Sequence, residues 1–386
     1  MKGFFKVFAE ECKKIFYDAG VVLILCFAPV LYSLLYPFPY ENQIVDKIPV
    51  AVVDEDKSGL SRQITSMLNT TEFIDATTEY TSINQAKNAF YERKVYGIIY
   101  IPNNFYKNVV QGLQPIVTLF SDGSYMLFYS ETFSSAMKVV LTAAAGVKVQ
   151  RMTMSGVPQE AAIKMQSAVS VVDRPLYNVF GGYGNFVVPG VLALIIQQLI
   201  LASVFLVHGR DCEKNAGFCS GTGVMQNLLG KGLVYLIFFF IISFYFFQVS
   251  ISFFYIPDFS KGGELFLFLV PYGLSIVFLG IATAYFTTER EGGLFFVLTT
   301  SVPLLFLTGF SWPVWEMPLW LQGLRTVFPS SSGVMGLIMM RQMGASLADV
   351  SFEYINLWVL TFAYMILAVF SVKAQMKRIA VLKNKS

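Results

Sequence analysis

Three groups of residues in this chain have types and spacing that could do chemistry. Asp54, Glu55 and Asp56 stand side by side, as a cation site or paired acid–base carboxylates would require. His208, the only histidine, precedes Cys212 and Cys219, ligand types that hold zinc. Residues 221–232 end in Gly230 and Lys231, as a phosphate-cradling loop does. Each group has a plainer reading. The acids separate an apolar strand-like run from a helix, and a helix start favours negative charge, so they read as a solvated turn. The histidine–cysteine spacing fits no common zinc pattern and lacks a fourth ligand. A phosphate loop needs Gly at 225 and Ser or Thr at 232, where this chain has Met225 and Gly232. No histidine or cysteine falls within 41–174, which excludes a Ser–His or Cys–His nucleophile there. No catalytic, cofactor-binding or metal residue is therefore expected.

The elements that hold these groups explain why. Runs 19–40, 175–207, 232–257, 265–288, 292–315 and 354–372 carry no charged residue. Each is at or near the roughly 20 apolar residues a helix needs to cross a bilayer. Only 14% of residues are charged, against about 25% in soluble domains. A net charge of +3, with no pooled basic patch, gives no argument for nucleic acid. Lys2, Lys6, Lys13 and Lys14 precede the first run, and Lys373, Lys377, Arg378, Lys383 and Lys385 follow the last. The positive-inside rule then puts both ends in the cytoplasm, together with Arg210, Lys214, Lys231 and the turn Glu289, Arg290, Glu291. The first run is long for a signal peptide and is expected to stay as an anchor.

This reading divides the chain into a cytoplasmic amphipathic helix (1–18), a first span (19–40), an extracytoplasmic mixed α/β domain (41–180), spans two to six (181–373) and a cytoplasmic tail (374–386). In the α/β domain, strands are expected at 48–54, 73–78, 95–101 and 115–120, with helices between them and long helices at 126–154 and 160–169. In the spans, Gln197 and Gln198 are the deepest polar side chains, able to bond a neighbouring helix or to line a path. No ionisable residue is expected mid-span, which disfavours an ion-driven pump and assigns the energy source to another protein. The phenylalanines crowding spans three and four read as lipid-facing. After span five, residues 308–322 are aromatic and broken by prolines, suiting re-entrant helices at about 309–345.

Three segments carry a family resemblance. Gly309, Phe310, Pro313, Met317, Pro318, Trp320, Leu321, Gln322, Phe328 and Pro329 form an ordered series after span five. Val50–Asp54 opens the external domain and is followed by the run from Val95 to Pro102, and Val188, Pro189 and Gly190 begin span two. In this order the chain resembles the ABC-2 type transporter permeases, in particular those with a large extracytoplasmic domain between the first and second spans. The family's acidic and basic run after span two is looser here, at 209–217.

The resemblance implies a type V ABC exporter-like fold with six transmembrane helices, in the bacterial cytoplasmic (inner) membrane. It implies half a transporter, paired with a second copy or a paralogue and moving substrate out of the cytoplasm or inner leaflet. Cytoplasmic ABC ATPase subunits would bind ATP and Mg, this chain binding no cofactor itself. A periplasmic adaptor and membrane lipid are further implied partners. The ATPases would push on the amphipathic helix and on a coupling loop containing Arg210, Asp211, Glu213 and Lys214. Gln197 and Gln198 are candidate path-lining residues. The alternatives are a non-transporting multi-span receptor or docking protein of similar layout, and a membrane enzyme with its site outside.

Overall fold

The computed structural model describes residues 2–40, 47–76, 80–166, 178, 182–214, 222–287 and 289–383. The chain forms two compact units, Met1–Gln43 with Pro175–Ser386, and Ile44–Arg174. The first unit opens with α1 (Lys2–Phe16), whose buried residues Val7, Glu11 and Ile15 recur every four positions and so share one face. α2 (Ala19–Tyr40) follows immediately. Its N-terminus is capped by Asp18, whose Oδ1 accepts the N–H groups of Gly20 (3.1 Å) and Val21 (3.3 Å). A π-helical turn at Leu23–Phe27 lies just before Pro29, which has no N–H to give the helix ladder.

The second unit is built on β1 (Ile48–Asp54), α3 (Gly59–Asn69), β2 (Ile74–Asp75), α4 (Ile83–Tyr91), β3 (Gly97–Ile101), α5 (Phe105–Val110), β4 (Thr118–Ser121), α6 (Met126–Met154) and α7 (Gln159–Gln166). The sheet order is β2-β1-β3-β4, with β1 parallel to β2 and β3, and β4 antiparallel to β3. β1 is buried on both faces. Val50 and Val52 join Ile64, Leu68, Ile99 and Val139 on one side, while Ala51 and Val53 join Ala86, Ala89 and Ile98 on the other. That is the pattern of a central strand covered twice. β2 and β4 are shorter than the strands expected there, and residues 77 and 78 of the expected second strand lie outside the described residues.

The first unit resumes with α8 (Tyr183–Glu213), α9 (Val224–Phe253), α10 (Gly262–Thr283) and α11 (Arg290–Leu307). α12 (Leu319–Arg325), α13 (Pro329–Met343) and α14 (Ser351–Lys383) complete it. Among the described residues, six helices are long and apolar enough to cross a membrane: α2, α8, α9, α10, α11 and α14. α8 is the central one, 83% buried along its apolar stretch, whereas α2 and α11 are peripheral at 22% each. Ser33 ties α2 to α9, its Oγ lying 2.9 Å from Tyr245 Oη and its carbonyl accepting from Ser250 Oγ.

Several helices extend beyond the charge-free runs. α8 continues to Glu213, so Arg210, Asp211 and Glu213 are helical rather than part of a loop. α9 starts at Val224 and contains Gly230 and Lys231, the residues resembling a phosphate loop. α14 runs on to Lys383, through most of the expected tail. α11 ends at Leu307, short of the expected 315, because Gly309 follows at φ +82°, a left-handed conformation that suits glycine and stops a helix.

Candidate functional site

At one end of the helical unit, four charged side chains from three helices meet. α1 contributes Glu11 and Lys14, α8 contributes Asp211, and α9 contributes Lys231. Asp211 Oδ2 lies 2.6 Å from Lys14 Nζ and 3.4 Å from Lys231 Nζ. Glu11 Oε2 lies 3.8 Å from Lys14 Nζ and 3.6 Å from Lys231 Nζ. Tyr235, one turn further along α9, donates its hydroxyl to Glu11 Oε1 at 3.0 Å. The two carboxylates are almost fully buried, Glu11 being 2% and Asp211 4% exposed. Buried charge persists only when paired and hydrogen-bonded, and here each carboxylate meets both ammonium groups. α1 can seat this close because Gly230 faces it: a Cβ there would lie 2.8 Å from Val7 Cγ1.

Asp18 forms a second node beside the first. While its Oδ1 caps α2, its Oδ2 accepts from Arg290 Nη2 (2.5 Å) and Arg210 Nη1 (3.4 Å). Arg210 also donates to the Lys14 carbonyl, at 3.1 Å, near the C-terminus of α1. Burial alone would raise the Asp18 pKa, but the Arg290 guanidinium and the capped N–H groups outweigh it and hold the carboxyl below its ordinary value. Arg290 opens α11, and a Cβ on Gly209 of α8 would stand 2.7 Å from the Arg290 backbone nitrogen. The glycine is what lets the two helices touch here. Together the nodes bind the amphipathic helix to α2, α8, α9 and α11.

Of the four coupling candidates, Arg210 and Asp211 therefore belong to these nodes, while Glu213 and Lys214 are exposed at the end of α8. His208 and Cys212 sit one turn apart on α8, with Sγ 3.3 Å from Nε2. Cys219 lies outside the described residues. In the other unit, the acids of residues 54–56 do not converge on one point. Asp54 accepts from the Asp56 and Lys57 N–H groups and from Ser61 Oγ, Glu55 from Tyr100 Oη, and Asp56 from the Tyr106 N–H.

The opposite end is held differently. Pro189 lies inside α8 and lacks the N–H that would bond the Asn185 carbonyl. Gln342 of α13 supplies that hydrogen from Nε2, and it also reaches the Phe186 carbonyl at 3.3 Å. Next to this break, Gly190 leaves room for Phe310, whose ring would be 3.1 Å from a Cβ there. The Phe310 ring stacks on Phe186 at 4.6 Å. The Pro189–Gly190 pair thus makes a notch in the central helix, and Gly309–Phe310 and α13 fill it. Pro313 and Pro318 precede the one-turn segment Val314–Glu316 and α12, and Pro329 opens α13. Met317 and Pro318 line an apolar recess of about 500 Å3 with Phe306, Trp312 and Leu321.

Gln198 donates to Ser301 Oγ of α11 at 2.8 Å. Gln197 is wholly buried, and neither its Oε1 nor its Nε2 has a hydrogen-bond partner among the described residues. Glu11, Asp18, Arg290, Arg341 and Gln342 were not singled out as site residues from sequence, and Lys231 stood out only for its likeness to a phosphate loop and as the end of the cytoplasmic segment 210–231. Arg341, 1% exposed, pairs with Asp258 Oδ2 at 2.8 Å and donates to the Phe247 carbonyl at 2.7 Å. The available signal was a lone arginine in a methionine-rich, otherwise uncharged helix.

A multi-pass helical bundle with an amphipathic first helix and a proline-notched central span is now in view, and its relatives can be set beside it. "Probable multidrug ABC transporter permease YbhR" of Escherichia coli strain K12 is 29% identical over 163 residues, 41% of this chain and 44% of the relative. The protein of the same name from Escherichia coli O157:H7 matches to the same extent. The matched region thus spans less than half the length of these curated relatives. The family model described as "ABC-2 family transporter protein" matches residues 20–370, from the start of α2 into α14. That match takes in the notch segments and all or most of each of the six candidate spans, and the chain belongs to the ABC-2 family of transporter proteins, as a multi-pass membrane protein.

Proposed function

We propose that this chain is the membrane subunit of an ATP-driven exporter, and that the charged nodes around α1 pass the stroke of partner ATPases into the spans. The observation that carries this is the four-charge cluster of Glu11, Lys14, Asp211 and Lys231. An amphipathic helix merely resting on a membrane would keep its charges in water. This one buries a glutamate and locks it to two spans, so force applied to α1 reaches α8 and α9 directly. Breaking a buried ion pair from one side costs about 3–5 kcal/mol, enough to make the linkage stiff.

In this reading the fold is of the type V ABC exporter kind. Both termini and the charged nodes face the cytoplasm of a bacterial inner membrane, and the α/β unit lies outside. The chain has no nucleotide-binding motif of its own, so ATP and Mg are held by cytoplasmic ABC ATPase subunits. A second copy or a paralogue covers the exposed apolar face of α11, where Phe295, Leu298 and Val302 are unburied. Lipid covers the remaining faces, and a periplasmic adaptor meets the outer unit. Apolar cargo fits spans without unpaired charge, and the relatives named as multidrug permeases point the same way.

The test is co-reconstitution of the chain with its ATPase in liposomes. ATP hydrolysis is expected to depend on the permease and to lose that dependence in Asp211→Ala. ATP hydrolysis by the purified chain alone would overturn the proposal.

A further inference from the structure

The helix α6 is longer than the sheet it covers. At 29 residues and about 1.5 Å per residue, it extends well past the short strands. Its first half buries Thr132, Ser135, Ala136 and Val139. Its second half meets α3, α5 and the loop 111–117 around a cavity of about 750 Å3, within the roughly 300–1,000 Å3 of small-ligand sites. Ile64 and Phe105 form one wall, and Val140, Ala144 and Val147 of α6 form the other.

The polar lining is one-sided in charge. Lys148 and Arg151 flank the cavity, and neither Asp nor Glu lines it. Three residues apart on a helix, they lie on one face. Both side chains are exposed, and neither makes an ion pair among the described residues. Among the described residues, Lys148 Nζ reaches only the Gln166 carbonyl, at 3.5 Å. The Arg151 guanidinium lies over Gly112, where a Cβ would be 3.3 Å from Nη2. Gly112 has φ +82°, so the loop turns back beneath the arginine in a conformation that glycine tolerates. An apolar chamber with two cations at its edge is complementary to a molecule with an apolar body and an anionic end.

We propose that the α/β unit binds a long-chain carboxylic acid, its alkyl chain in the cavity and its carboxylate between Lys148 and Arg151. Burial of the chain supplies affinity, and charge-assisted hydrogen bonds from the two cations set orientation and select against neutral or cationic amphiphiles. The site stands on the cavity alone and holds whether or not the nodes around α1 couple to an ATPase.

The full chain, in nanodiscs of phosphatidylcholine and without ATP, is exposed to a diazirine-bearing analogue of palmitate and then to light. Labelled peptides are identified by mass spectrometry. Label is expected in segments 105–117 and 140–157, displaced by palmitate but not by hexadecyltrimethylammonium. Replacing both cations (Lys148→Gln with Arg151→Gln) should weaken binding about tenfold or more, as loss of hydrogen bonds to a charged group does. Ala144→Trp should block the chamber and abolish the label. The charge variant alters only exposed side chains and decides the matter if the tryptophan variant fails to fold. Label elsewhere, unchanged affinity in the charge variant, or equal displacement by the cationic amphiphile overturns the proposal.

Discussion

The two ends of the helical unit solve the same problem, joining distant segments inside an apolar bundle, by different means. At the α1 end the links are side-chain charges: Glu11, Lys14, Asp211 and Lys231 in one node, and Asp18, Arg210 and Arg290 in the next. At the notch the links are a glutamine to a backbone carbonyl, a ring stack and glycine clearances. Ion pairs sequestered from water are stiff and fail all at once when one partner is lost. A carbonyl freed by proline and filled by a side chain from a broken segment can be released without stranding a charge. The contrast suits the lever proposed above at one end, and at the other a joint that can part at lower cost.

The sharpest way to break this contrast is Asp211→Ala. It removes the carboxylate shared by Lys14 and Lys231 and should cost about 3–5 kcal/mol, seen as a large drop in thermal midpoint and loss of permease-dependent ATP hydrolysis. If the variant melted like the parent, the lever would not be built from these charges. Acid should expose the second node next. The Asp18 carboxyl titrates below its ordinary value in the folded chain, so its contribution is complete above about pH 4. It is lost as pH falls through the lowered folded value. The thermal midpoint of the parent should therefore drop on acidification below pH 4, while Asp18→Asn starts lower and changes less.

At the notch, Gln342→Leu removes the side-chain hydrogen bond to the Asn185 carbonyl and should cost about 1–3 kcal/mol. Transport should change more than stability if the notch opens during transport, since Gln342 ties α13 to the break in α8. Equal losses of transport and stability would make the notch a structural joint like the other end. Smallest of all, Glu213→Ala at the exposed end of α8 should stay within about 0.5 kcal/mol. Its effect on ATPase coupling separates contact with a partner from transmission within the chain.

Much of the architecture was legible in the residues. Charge-free runs located the spans, short continuous runs of β-branched apolar residues located β1 and β3, and the Pro189–Gly190 and Gly309–Phe310 pairs stood out as unusual. What could not be read was which of these would meet. Nothing local in Gln342 says that it completes a helix broken more than 150 residues earlier. The charge-free criterion also ended α8 six residues early and delayed α9 past Lys231. It treats a charge as a boundary, whereas Asp211 and Lys231 pair inside the bundle, with Glu11 and Lys14 completing the balance. Pairing across helices is a tertiary fact, and it made the coupling candidates look like a loop when half of them were inside the lever.

The composition of the four-charge node has an electrical consequence. Two carboxylates and two ammonium groups sum to zero. Carrying one elementary charge through the membrane field takes about 2.3 kcal/mol per 100 mV. A rigid displacement of the whole quartet takes none, because the work on its positive and negative members cancels. In the proposed stroke, translation of this node therefore neither draws energy from the membrane voltage nor works against it, and any voltage dependence arises from charges outside the quartet.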